Sequence, residues 1–171
     1  YKQRVFVGGN KSLAVITDGQ LEKLPWSGTR ISSMVFYNQM LLIAASDGLH
    51  IYNPETYEDK LTTPFSSAGS VSVDDLLVTD AQEIWASNMS AGVARIGPSG
   101  DLLEWYDIQK NNRIRSNEVR TIEESPDGVI LVGTDLGLME IDRKSGIAAP
   151  CKGLDPGYTV EAIFTDSIGD I

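Results

Sequence analysis

A hairpin pattern that recurs four times limits the fold of this chain more than any other feature. Each copy begins with a short apolar run ending on small residues: Val5-Phe6-Val7-Gly8-Gly9, Leu41-Leu42-Ile43-Ala44-Ala45-Ser46, Ile84-Trp85-Ala86-Ser87-Asn88 and Ile130-Leu131-Val132-Gly133-Thr134. After a polar or glycine-containing turn, a second apolar run returns at 13–16, 49–52, 93–96 and 138–141. Aligned on Gly8, Ala45, Ser87 and Gly133, the copies are separated by 37, 42 and 46 positions. A period of this length marks an architecture whose units stack to bury one another.

The unit is larger than a hairpin. Apolar pairs spaced i, i+3 precede the last three hairpins (Ile31 and Met34, Val73 and Leu76, Val119 and Ile122), and Val160 and Ile163 repeat the pair once more. A further turn and strand close each unit, as in the run from Gly100 to Tyr106. Four short strands per unit, a period near forty and no sustained helical spacing predict an all-β chain, a β-propeller of about four blades of four antiparallel strands. The signatures of leucine-rich, tetratricopeptide and ankyrin repeats are missing, as are those of WD40 and kelch blades. Blades are expected at about 1–30, 31–69, 70–116 and 117–156, with the start of a next at 157–171. The first lacks its first strand and the last has only that strand, so sixteen strands are expected. A partial propeller suits this better than a closed four-blade ring, the low extreme of the fold. Its exposed strand edges need cover, from a homodimer partner or from missing blades.

The formal net charge of −10, from 14 basic and 24 acidic residues, argues against nucleic acid as a partner. The nearest basic grouping, Lys110, Arg113, Arg115 and Arg120, is interleaved with Glu118, Glu123 and Glu124 and reads as mixed surface. No window approaches the roughly twenty apolar residues of a membrane span, so no membrane contact by this segment is expected. The start at Tyr1, without Met or apolar leader, suggests a piece of a longer or processed chain. A single cysteine, Cys151, excludes an internal disulfide framework and CxxC metal sites.

Catalysis needs titratable groups gathered in tuned environments, and none is expected in this segment; nor is a metal or cofactor. His50, the one histidine, lies in a strand opposite Leu49 and Ile51, and a structural or surface role is expected. Asp18, Asp47, Asp127, Asp135 and Asp166 fall in turns, where their side chains bond local backbone. Trp85 belongs to a strand and is expected to pack between blades, whereas Trp26 and Trp105-Tyr106, near outer strands or connectors, could equally stack on sugar. Propeller geometry directs ligand to the hairpin turns and blade crossings, gathered at the two ends of the channel. The ligand-binding candidates are therefore Asn10, Asp47, Asn88 and Asp135 in the turns, and Arg30, Arg113, Arg115 and Tyr158 in the crossings.

The fourth unit resembles the two-component regulator propeller repeat of bacterial sensor proteins. Val119 to Ile122, Pro126-Asp127-Gly128, Ile130 to Thr134, Gly137-Leu138 and Ile141-Asp142 follow that repeat, and the stretch from Val160 to Gly169 begins it again. The other units depart from it: only Trp85 supplies the usual second-strand Trp, and Gly-Thr becomes Gly8-Gly9, Ala45-Ser46 and Ser87-Asn88. The resemblance implies a periplasmic or extracellular sensor portion of a membrane-spanning signalling receptor, upstream of a histidine kinase or diguanylate cyclase. It implies a carbohydrate or other small-molecule ligand. The alternative is a fragment of a secreted propeller glycosidase or polysaccharide lyase, with catalytic residues partly outside this stretch.

Overall fold

The computed structural model describes residues 4–109, 114–153 and 157–165. Among the described residues fifteen strands form four antiparallel sheets. The first sheet has three strands, β1 (Arg4–Gly9), β2 (Ser12–Thr17) and β3 (Gln20–Leu24). The second holds β4 (Ile31–Tyr37), β5 (Met40–Ala45), β6 (Gly48–Tyr52) and β7 (Asp59–Thr62). The third holds β8 (Asp75–Val78), β9 (Ile84–Asn88), β10 (Gly92–Ile96) and β11 (Leu102–Tyr106), and the fourth β12 (Val119–Glu124), β13 (Ile130–Thr134), β14 (Gly137–Asp142) and β15 (Ile147–Pro150). In every sheet the strands lie side by side in chain order, which is the meander of a propeller blade.

Alternation along the strands gives each sheet two apolar faces, and these faces make the core. Leu13, Val15 and Leu24 meet Leu41, Ile43 and Tyr52 between the first two sheets. Leu42, Ala44 and Leu49 meet Val73, Leu76 and Ala86 between the next two. Trp85, Val93 and Tyr106 meet Ile122, Val132 and Met139 between the last two. A central-strand residue therefore packs on the preceding or the following blade according to its parity. Short turns hold the strands in register. Asn38 and Gln39, at φ 47° and 66°, make the two-residue β4–β5 turn whose twist matches the strands. Gly92, at φ 92°, opens β10 where a Cβ would come within 2.2 Å of the Tyr106 carbonyl.

Pairing corrects the alignment of the repeats at one point. Ala45 faces Gly48 across the hairpin as Gly9 faces Ser12 and Thr134 faces Gly137. The residue in register with Gly8, Ser87 and Gly133 is thus Ala44, one position earlier than the small-residue steps suggest, and the separations become 36, 43 and 46 positions. Two adjacent alanines give the sequence no means of telling the two faces apart. The sixteenth strand is also absent as a ladder: residues 159–165 form no sheet. A first strand pairs along its length with the second strand of its own blade, and no such partner lies among the described residues. The segment is nevertheless seated as a first strand, because Val160 N–H donates to the Thr134 carbonyl at 2.9 Å just as Val73 N–H donates to that of Ala45 at 3.0 Å.

Candidate functional site

Four antiparallel strands in series put the second-to-third hairpin turns and the blade crossings at the same end of each sheet. The expectation that they divide between the two ends is therefore corrected, since each strand reverses the last. Bonds between the two loop types bear this out. Ser46 N–H donates to the Arg30 carbonyl at 3.0 Å, and Asp135 N–H to that of Glu118 at 3.3 Å.

The candidate residues at this end have different fates. Asp47 accepts from the Thr29 hydroxyl at 2.6 Å and lies 3.2 Å from His50 Nε2, which ties the β5–β6 turn to the crossing that carries Arg30. Burial pushes the Asp47 carboxyl up, but the bonds from Thr29 and His50 outweigh it and hold the group below the usual carboxylate value. Asn88 donates through Nδ2 to the Ser72 carbonyl and hydroxyl, both at 2.8 Å, and to the Ser70 hydroxyl at 3.0 Å. It fastens a crossing and is itself buried. Asp135 lies under the next crossing, where its carbonyl accepts from the Thr159 hydroxyl beside Tyr158, and its buried Oδ1 has no partner. Asn10, Arg30, Arg115 and Tyr158 are exposed on this end; Arg113 lies outside the described residues.

His50 is structural rather than superficial. It is 2% exposed, 4.5 Å from the Trp26 ring centroid, with Nδ1 2.8 Å from Asp59 Oδ2. Trp26 donates its indole N–H to the Thr29 carbonyl at 3.0 Å. This cluster locks the first crossing onto the second sheet, and Asp59, nine residues from His50, gives no sequence signal of its part in it.

Of the aromatic residues, Trp85 packs between blades and Tyr106 stacks on it at 5.7 Å, fully buried. Tyr106 is therefore no sugar platform: its parity turns it into the interface rather than outward. Trp105 is half-buried and donates its N–H to the Ala91 carbonyl at 2.6 Å. It borders a cleft of about 260 Å³ together with Ser67, Ser90, Asp107, Gln109 and Asn117. Each loop of that lining falls in a turn or crossing visible in the sequence, but their convergence is not.

The opposite end of the sheets carries charge. Arg143 donates to the Gly128 carbonyl at 2.6 Å and reaches Glu83 at 3.2 Å in the preceding sheet and Glu124 at 3.0 Å in its own. With its donors so occupied, the wide groove beside Arg143 offers a ligand little.

These sheets, packed face to face with loops gathered at one end, define an arc of a β-propeller. No family model matches the chain, and no curated protein does. Among solved structures it is similar to the extracellular domain described as that of a hybrid two component system of B. thetaiotaomicron, with a TM-score of 0.74 at 15% identity over 96% of this chain and 26% of that one. The extracellular domain of a one component system from the same organism gives 0.66 at 16%, over 98% and 24%. Virginiamycin B lyase from Staphylococcus aureus gives 0.64 at 14%, over 86% and 50%. The chain spans about a quarter of the length of the first two. At these identities the likeness is one of fold.

Proposed function

We propose that this chain is a ligand-sensing or interaction arc in the periplasmic or extracellular part of a membrane-spanning bacterial receptor of the two-component regulator propeller repeat family, with a histidine kinase or diguanylate cyclase as output. The observation that carries the reading is the cleft at the crossing end, where Trp105 offers an aromatic edge and Ser67, Ser90, Gln109 and Asn117 offer hydroxyl and amide groups. That mixture suits a carbohydrate or other small polar molecule. The likeness to extracellular sensor domains supports it.

Calorimetric titration with a panel of oligosaccharides tests the proposal. Gln109→Ala is expected to weaken the bound sugar by about tenfold, the loss of one or two hydrogen bonds, with no change in the sugar itself. Cleavage of the sugar on incubation would transfer the chain to the alternative, a fragment of a secreted glycosidase or polysaccharide lyase, for which the propeller lyase likeness speaks. Absence of binding across the panel would remove carbohydrate as the occupant of the cleft.

A further inference from the structure

Residues 61–73 and 84–94 contain no Asp, Glu, Lys, Arg or His, although 22% of the chain is charged. The fold brings these two runs together at the crossing end of the third sheet. Asn88, the last residue of β9, donates through Nδ2 to the Ser70 hydroxyl at 3.0 Å and to the Ser72 carbonyl at 2.8 Å. The crossing from the second sheet to the third therefore lies against the β9–β10 turn. What the pair presents to solvent is a charge-free strip: Ser66, Ser67, Ala68 and Ser90 are exposed, and Val71 and Met89 stand out at 50% and 47%.

The strip runs into the cleft beside Trp105, because Ser67, Ala68, Ser90 and Ala91 belong to both. The nearby carboxylates are engaged by backbone. Asp74 Oδ2 accepts from Met89 N–H at 2.8 Å, and Asp107 Oδ1 from Gln109 N–H at 2.6 Å, with Asp107 only 2% exposed. Among the described residues no Lys or Arg lines the cleft; Arg115 is exposed in the next crossing but is not part of the wall, and Lys110 and Arg113 lie outside the described residues. An acidic group here would leave water without gaining a cation, beside a buried carboxylate and on a chain of net charge −10. Burying an unpaired charge costs far more than burying a hydroxyl that keeps a hydrogen bond. Serine hydroxyls and the Gln109 and Asn117 amides suit sugar hydroxyls, and Val71 and Met89 suit the C–H faces of sugar rings.

We propose that the glycan held in this cleft is a neutral one, and that it runs from Trp105 across the charge-free strip formed by residues 66–71 and 89–90. The inference rests on the carbohydrate reading of the cleft and narrows it to sugars without carboxylate or sulfate groups.

The test is calorimetric titration with neutral hexose oligosaccharides, each beside its counterpart oxidised at C6 to the uronic acid and beside the methyl ester of that acid. Acid and ester share length and linkage and differ in charge. Neutral members should bind with an affinity that added salt leaves unchanged, and each acid should bind about tenfold or more weakly than its ester. An acid that binds as tightly as its ester, or binding confined to acids, would overturn the inference while leaving the carbohydrate reading in place. No binding by any member, neutral or acidic, would remove that reading and this inference with it. Ala68→Arg locates the site, since Ala68 is exposed and lies in both the strip and the cleft wall. With its circular dichroism spectrum unchanged, this variant should bind the acid about tenfold more tightly relative to the ester than the parent chain does. An unaltered ratio would place the sugar elsewhere and overturn the strip.

Discussion

Replacing Ser87 by alanine should make the protein more stable. Ser87 is fully buried on the face of β9 that meets the fourth sheet, and its hydroxyl has no hydrogen-bond partner. The register-equivalent residues Gly8, Ala44 and Gly133 carry no hydroxyl at all. An unpaired buried hydroxyl costs about 1–3 kcal/mol of desolvation. Deleting one oxygen forfeits only a few dispersion contacts of about 0.1–0.2 kcal/mol each, so Ser87→Ala should gain about 1 kcal/mol. For a chain of this size that raises Tm by roughly 2–4 °C. Urea unfolding with an unchanged m-value is the assay.

The control is Gly8→Ala at the same register. There a Cβ would stand 2.6 Å from Ile31 Cγ2 and 3.1 Å from Met34 Cε, so overpacking should cost about 1–3 kcal/mol. Ala44 shows that a Cβ fits this register where Val73 rather than Ile31 takes part in the packing. Opposite signs at two equivalent positions separate a polar-burial effect from a generic preference for alanine. A loss of stability in Ser87→Ala would refute the reasoning, because it would mean that the hydroxyl is paired, for instance through a water shared with the equally partnerless Trp85 Nε1 two residues away on the same face.

Asp47, held below its ordinary value chiefly by Thr29 and His50 against the push of burial, contributes stability that is present above about pH 4 and lost as pH falls through its folded pKa; Asp47→Asn should flatten that part of the acid limb, as followed by urea midpoints from neutral to acid pH. The Glu140 carboxylate, with burial, pushes the Cys151 thiol up to about 11, so iodoacetamide should alkylate it slowly at neutral pH and faster in Glu140→Gln. Arg143→Met should cost about 1–3 kcal/mol by leaving the Gly128 carbonyl without its donor and removing the cation that Glu83 and Glu124 share, whereas Glu55→Ala, removing the exposed partner of Arg4, should change stability by less than about 1 kcal/mol.

The strands are legible because the central strands, buried on both faces, read as continuous apolar runs ending on small residues, and the turns because Gly-rich and Asx-rich steps leave few alternatives. What escaped depends on contacts between distant segments. Arg143 and Glu83 are sixty residues apart and meet only once two sheets stack. Asp59 meets His50 only through the β6–β7 pairing. Asp47 and Asp135 lie in hairpin turns, but whether such a side chain is free or consumed turns on its neighbours. Asn88 points into the crossing and is spent on Ser70 and Ser72, while Asn10, one position beyond the register-equivalent Gly9, is exposed.

The two ends of the sheets are joined by different chemistry, and that difference bears on where the proposed ligand would sit. At the crossing end, besides side-chain anchors such as Asp47 and Asn88, successive blades are linked by backbone bonds, from Val73 to Ala45, from Gly92 to Asn117 and from Val160 to Thr134, none of which specifies a side chain. At the other end they are linked by side chains: Arg143 to Glu83 and Thr79, Glu124 to the Asp80 amide, Arg4 to Glu55. A substitution at the second end breaks a link between blades. One at the crossing end, away from anchors such as Asn88, Trp26 and Trp105, leaves the backbone clasp intact. Side chains there are thus free to be chosen for what they contact outside the fold, and the cleft beside Trp105 lies on the end where that freedom exists.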